Sequence, residues 1–168
     1  MRKLCCAGLA LLLAAIAGMA AAAAPDGGAR IVDFVYERGG YPDKAYCFNV
    51  YQEDGEVYLA AMGYNGADLD EMRRVDETVF DGIMEIVERY DLYAWNGFDQ
   101  VADVMDGHMF SLGVEFDDGT EIYAKGHEMY PDNYQEADEA IMRFFFDKLE
   151  ELETIDDEAY DAGDEEAY

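Results

Sequence analysis

Positive charge is what this chain most lacks. Eleven Lys and Arg stand against 39 Asp and Glu, for a formal net charge of −28. Such a surface repels phosphate backbones and anionic lipid headgroups, which disfavours nucleic-acid binding and electrostatic attachment to membranes. Serine is almost missing. Ser111 falls inside a predicted strand and outside any Gly-x-Ser-x-Gly turn, which argues against a Ser-His-Asp catalytic set. Cysteine is equally scarce. Cys5 and Cys6 open an apolar run, and Cys47 lies among apolar neighbours in a predicted strand. No disulfide framework is expected, and Cys47 reads as an inert buried thiol. Asn-x-Ser/Thr sites, Walker loops and dinucleotide fingerprints are all missing. Asp68 and Asp70 begin like an EF-hand, but Met72 fills the next ligand position. His127-Glu128 begins like a zincin helix, yet Pro131 stands where the second histidine belongs.

The N-terminus, by contrast, is rich in information. Met1-Arg2-Lys3 precedes an uncharged apolar run from Leu4 to Ala24, which closes on small residues with several Ala-x-Ala sites. That is the three-part layout of a secretory signal peptide. Residues 1–24 are therefore expected to be removed and the remainder to work outside the cytoplasm, secreted or periplasmic. Pro25 disfavours cleavage directly after Ala24. The cysteines sit at the wrong end of the run for a lipid anchor. Without this segment nine bases face 39 acids on about 144 residues, a charge near −30. Its counterparts would be cations or basic peptides and proteins, although acidity also serves solubility alone. From Glu150 the chain carries ten acids and no base, and residues 154–168 are expected to form a disordered acidic tail.

Residues 25–153 suffice for one core. Val50 to Ala60 resembles Val114 to Ala124, each with an Asp-Gly pair between two runs rich in Tyr, Phe, Val and Ile, a strong hairpin signal. A helical pattern follows each. Val75, Val79, Ile83, Ile86, Val87 and Tyr90 form the first stripe, with Asp76 placed to cap and Gly82 a weak point. Pro131 and Asp132 open the second helix, with Gln135 completing a capping box and Ala137, Ile141, Phe144, Phe145, Leu149 and Leu152 as the stripe. A further strand around Arg30 to Glu37 comes first. The order β-ββα-ββα predicts an α+β fold, an antiparallel sheet with two helices on one face and acids on the other.

Turn length decides the histidine question. A two-residue Asp118-Gly119 turn would set His108 and His127 on one face, like half a metal site. A three-residue loop, Asp117 to Gly119, buries apolar against apolar and sends the two to opposite faces. No metal and no cofactor are therefore expected. The connector from Leu92 to His108 holds the chain's one tryptophan. Trp95 and Phe98 are expected mainly to plug the core; the functional alternative is a binding lip of Trp95, Phe98, His127 and Tyr130.

From Tyr90 to Phe146 the chain has a Trp-x-Gly-Phe stretch (Trp95–Phe98), Asp106-Gly107 before an aromatic strand, the Asp118-Gly119 hairpin, and Tyr130-Pro-Asp-Asn-Tyr134 at a helix start. With Gly63-Tyr-Asn-Gly66, these motifs resemble an uncharacterised domain that recurs in bacterial secreted proteins and lipoproteins. The resemblance implies an extracytoplasmic α+β domain and carries over no catalytic residues. The expected function is non-enzymatic binding. The alternatives are a secreted hydrolase built on a carboxylate pair or a small secreted inhibitor of another enzyme.

Overall fold

The computed structural model describes residues 28–40 and 42–164, with side chains described as far as Glu153. The expected signal peptide, 1–24, lies outside the described residues, and the tail expected over 154–168 lies beyond the described side chains.

The chain runs β1 (Ile31–Gly39), β2 (Ala45–Glu53), β3 (Glu56–Tyr64), β4 (Asp70–Val75), α1 (Thr78–Arg89), a 3₁₀ turn (Leu92–Trp95), β5 (Asp99–Val101), β6 (Met109–Phe116), β7 (Glu121–His127) and α2 (Tyr134–Asp164). The strands form one seven-stranded sheet in the order β4-β3-β2-β1-β6-β7-β5. All pairings are antiparallel except β5 with β7. The α+β architecture expected from the sequence is present, with two strands more than predicted.

Both additions have physical reasons for going unread. β4 alternates exposed Asp70, Met72 and Arg74 with half-buried Glu71, Arg73 and Val75. Its period is a strand's, but its residues are charged, so no apolar alternation marks it. Val75 ends this strand instead of opening α1. β5 has three exposed residues and is held through β7.

One face of the sheet makes the core. Phe34 and Tyr36, Phe48 and Val50, Val57 and Leu59, Leu112 and Val114, and Ile122 and Ala124 are all buried in one cluster. Val79, Ile83 and Val87 of α1 join them, as do Ala137, Ile141, Phe145 and Leu149 of α2. Alternation along β1 is broken near its start. Ile31 opposes Phe116 while Asp33 opposes Glu115, so Val32 is the extra residue of a bulge. That is how Ile31 and Phe34, three apart, both reach the core. Gly82 is no passive weak point: a β-carbon there would stand 2.5 Å from the Phe144 ring, so the glycine is the space into which α2 packs.

The hairpins differ where their sequences look alike. Asp54 and Gly55 both take positive φ in a two-residue turn between Glu53 and Glu56, as a type I′ turn requires. The second hairpin has the three-residue loop, with Gly119 at φ 82° and Glu115 opposite Glu121. The extra residue flips the returning strand. Val57 and Leu59 face the core, but their counterparts by alignment, Glu121 and Tyr123, do not. As that register requires, Met109 rather than Phe110 opposes His127. At the helix starts, Asp76 Oδ1 accepts from the Thr78 backbone N–H at 2.9 Å. The capping box at Asp132 does not form. Asn133 enters α2 at φ 60°, its carbonyl accepting from the Ala137 N–H, while the Asp132 carbonyl accepts from the Trp95 indole at 3.1 Å.

Candidate functional site

Since both helices cover one face, the alternate strand positions form the second face, and these are half-buried or exposed apart from the small Cys47 and Gly39. Strand register fixes which side chains meet there. One row crosses six strands: Arg74, Tyr58, Tyr51, Asp33, Glu115 and Glu121 are successive cross-strand neighbours. Another runs Asp70, Met62, Cys47, Glu37, Ser111, Lys125 and Asp99. Tyr51 and Tyr58 stack at 5.7 Å between ring centroids. Arg74 and Lys125 flank the face, and each already binds an acid, Glu56 at 2.5 Å and Asp99 at 3.1 Å.

The centre of this face carries a like-charge pair. Asp33 on β1 lies directly opposite Glu115 on β6, and such positions put α-carbons about 4.5–5.5 Å apart. Two carboxylates at that spacing destabilise a sheet. Partial burial beside Tyr51 and repulsion from Glu115 push the Asp33 carboxyl up from 3.8 to about 6, against an opposing hydrogen bond from Asn49.

A second polar cluster lies on the helix-covered face. The Tyr36 hydroxyl, on a fully buried side chain, donates to Asp138 Oδ1 at 2.7 Å, and Arg38 Nη1 donates to Oδ2 at 2.9 Å. The Tyr134 hydroxyl is 3.4 Å from that of Tyr36. Burial raises the Asp138 carboxyl while Tyr36 and Arg38 pull it back, and burial pushes the Tyr134 hydroxyl up to about 12. Every polar atom here has a use, so the cluster reads as a clasp between β1 and α2.

The four residues considered for a binding lip are only partly brought together. Trp95, Phe98 and Tyr130 all surround the Phe110 ring, at 5.7, 6.1 and 6.1 Å. Trp95 is 2% exposed with its N–H engaged, and Phe98 packs against the core, so both are plugs. Tyr130 is exposed at 38%, stacked on Tyr134 at 4.5 Å. His127 stands apart from them on the uncovered face, in register with Met109 and Val101. His108 Nε2 meets Asp43 at 2.9 Å. Among the described residues no group of three or more His, Cys, Asp or Glu gathers in a metal-holding arrangement, and no helix is long and apolar enough to cross a membrane.

Surface hollows lie at two places among the described residues of the sheet. One, about 480 Å³, lies beside the β2–β3 turn and the β4–α1 junction; the other, about 250 Å³, lies over Gly39 and Ala45. Neither contains Asp33. Sequence reasoning missed Asp33, Glu115 and Asp138 for different reasons. The bulge hides the phase of β1, 39 acids make any one pair inconspicuous, and Asp138 sits beside an apolar stripe with nothing to announce Arg38. Comparison of the chain with known protein families, with characterised proteins and with solved structures finds no match.

Proposed function

We propose that this chain is an extracytoplasmic, non-enzymatic binding domain that engages a cationic partner through the uncovered face of its sheet. The observation that carries it is the row from Tyr58 to Glu121, where a like-charge pair and two stacked, half-buried tyrosines lie on the uncovered side of the sheet and, among the described residues, no Lys or Arg stands in the row between them. An antiparallel sheet needs only one buried face for stability, which leaves the second available. Carboxylates flanked by aromatic faces suit Lys or Arg side chains, which gain from both. The signal-peptide layout, and the resemblance of the turn and aromatic motifs to bacterial secreted domains, support the compartment.

Calorimetric titration with a short Lys/Gly peptide tests the proposal. Binding at low ionic strength should weaken steeply in about 0.5 M salt, where the Debye length falls to about 4 Å and all but the contact pairs are screened. It should also weaken in Glu115→Gln/Glu121→Gln. Binding that ignores both perturbations, or no binding, overturns it.

A hydrolase with a carboxylate pair is the second reading, favoured by the raised Asp33 carboxyl beside Glu115. Such an enzyme needs walls that exclude water and hold the substrate, and Asp33 lies in neither hollow. Hydrolysis of a chromogenic glycoside that Asp33→Asn abolishes would favour the enzyme instead.

A further inference from the structure

Resting on the proposed cationic partner, we propose that the face reads a polypeptide at two points: the hollow over Gly39 takes an apolar anchor, and the acid row takes a cation about six residues away. The hollow is a product of register. Gly39 opposes Met109 and packs against Ala45, which opposes Tyr64. Two minimal side chains thus lie between two large ones, making a trough of about 250 Å³ across the central strands. Its walls are open: Met109 is 49% and Tyr64 41% exposed. Beyond Met109 the same row of strand neighbours runs toward β5 through His127 and Val101, the latter 68% exposed. Large exposed apolar side chains set in a row are a common mark of an interaction surface, and methionine adapts to varied anchors.

Charge selects the occupant. Glu37 lines the trough on the acid-rich side, while Arg38, also lining it, is held by Asp138. A second copy of a chain carrying −28 would bring like charge onto Asp33, Glu37 and Glu115. A basic segment would relieve that repulsion. From Gly39 back to Asp33 is six residues of one strand, about 20 Å at ~3.3 Å per residue. An extended partner with the same rise meets both points when its apolar residue and its cation are similarly spaced.

Two peptides separate the possibilities, titrated into the full chain. One is the Lys/Gly peptide; the other adds a single leucine about six residues from its lysines. The leucine peptide should bind about tenfold tighter, the return from burying much of one such side chain. Met109→Ser/Tyr64→Ser should erase that advantage and leave the Lys/Gly affinity unchanged. Both side chains are half exposed, and a thermal melt confirms that the variant folds. Equal binding of the two peptides overturns the anchor alone. Failure of both to bind overturns the cationic partner as well. Self-association in sedimentation that the double variant abolishes would assign the trough to a second copy and overturn the partner named here.

Discussion

Replacing Asp33 with Asn should stabilise the protein, and by an amount that depends on pH. The folded state holds the Asp33 proton up to about pH 6, whereas the unfolded chain releases it near 3.8. Between those values the folded state binds more protons, so this group's contribution to stability falls as pH rises and levels off above about 6. The full displacement is worth about 3 kcal/mol. Water reaches the uncovered face and screens the pair, which reduces the figure to roughly 1–2 kcal/mol. Asp33→Asn removes the penalty, because a neutral amide faces Glu115 without repulsion. Urea denaturation at pH 7.5 should show the variant more stable by that amount. At about pH 5 roughly half the gain should remain, measured at constant ionic strength and clear of the isoelectric point near 4.1. Asp138, raised, and Asp76 and Asp118, lowered, titrate in both proteins, so the difference isolates Asp33. Glu115→Gln should give a smaller gain, since burial outranks Glu115 as the cause, and the double variant should gain less than the two singles added. A variant that is less stable at pH 7.5, or equally stabilised at both pH values, would refute the electrostatic account.

Trp95→Ala should cost about 3–5 kcal/mol in urea denaturation, as for other buried rings; a near-neutral change would mean that the indole does not plug the core. Gly82→Ala should lower stability by about 1 kcal/mol, because overlap with Phe144 costs roughly 1–3 kcal/mol and alanine's helix propensity returns about 1. A more stable variant would show that the ring moves aside freely. Tyr36→Phe should cost about 1.5–3 kcal/mol by removing a buried hydrogen bond to a charged group, and carboxyl NMR should find the Asp138 pKa raised further, since the hydroxyl favours its ionised form.

Periodicity and turn chemistry made the main elements legible. The Asp-Gly pairs located both hairpins, and the demand that Phe110, Leu112 and Val114 share a face with Ile122 and Ala124 gave the register and parted the histidines. Trp95 was legible as a plug because a lone tryptophan in a short connector has more to gain from packing than from exposure. What stayed hidden had no local signature. Val32's bulge depends on the pairing of β1 with β6, 80 and more residues away in sequence. β4 writes its alternation in charged residues, and the Arg38–Asp138 clasp joins positions 100 apart. An acid-lined second face was expected from the alternation, but its central pair became visible only once the strand order placed Asp33 between Tyr51 and Glu115, since any one acid among 39 is ordinary on its own.

The position of that pair bears on how a partner would approach. Exposed sheet edges invite strand addition, yet here one edge is β5, three residues long, and the other is β4, which carries Arg73 and Arg74. Short edges and edge cations are both devices against strand pairing. The edges are thus blunted while the middle of the sheet is left bare, so contact through the face is favoured over augmentation of the edge. Asp33 and Glu115 sit on adjacent strands with β2 and β7 on either side, so backbone pairing on both flanks holds their α-carbons opposite each other. Folding gains nothing from that contact, and Asn at position 33 would remove it. With Arg74 and Lys125 bound to Glu56 and Asp99, the repulsion at the centre of this face is relieved by the Asp33 proton below about pH 6 and, above it, would be relieved by a positive charge of the kind the proposed partner supplies.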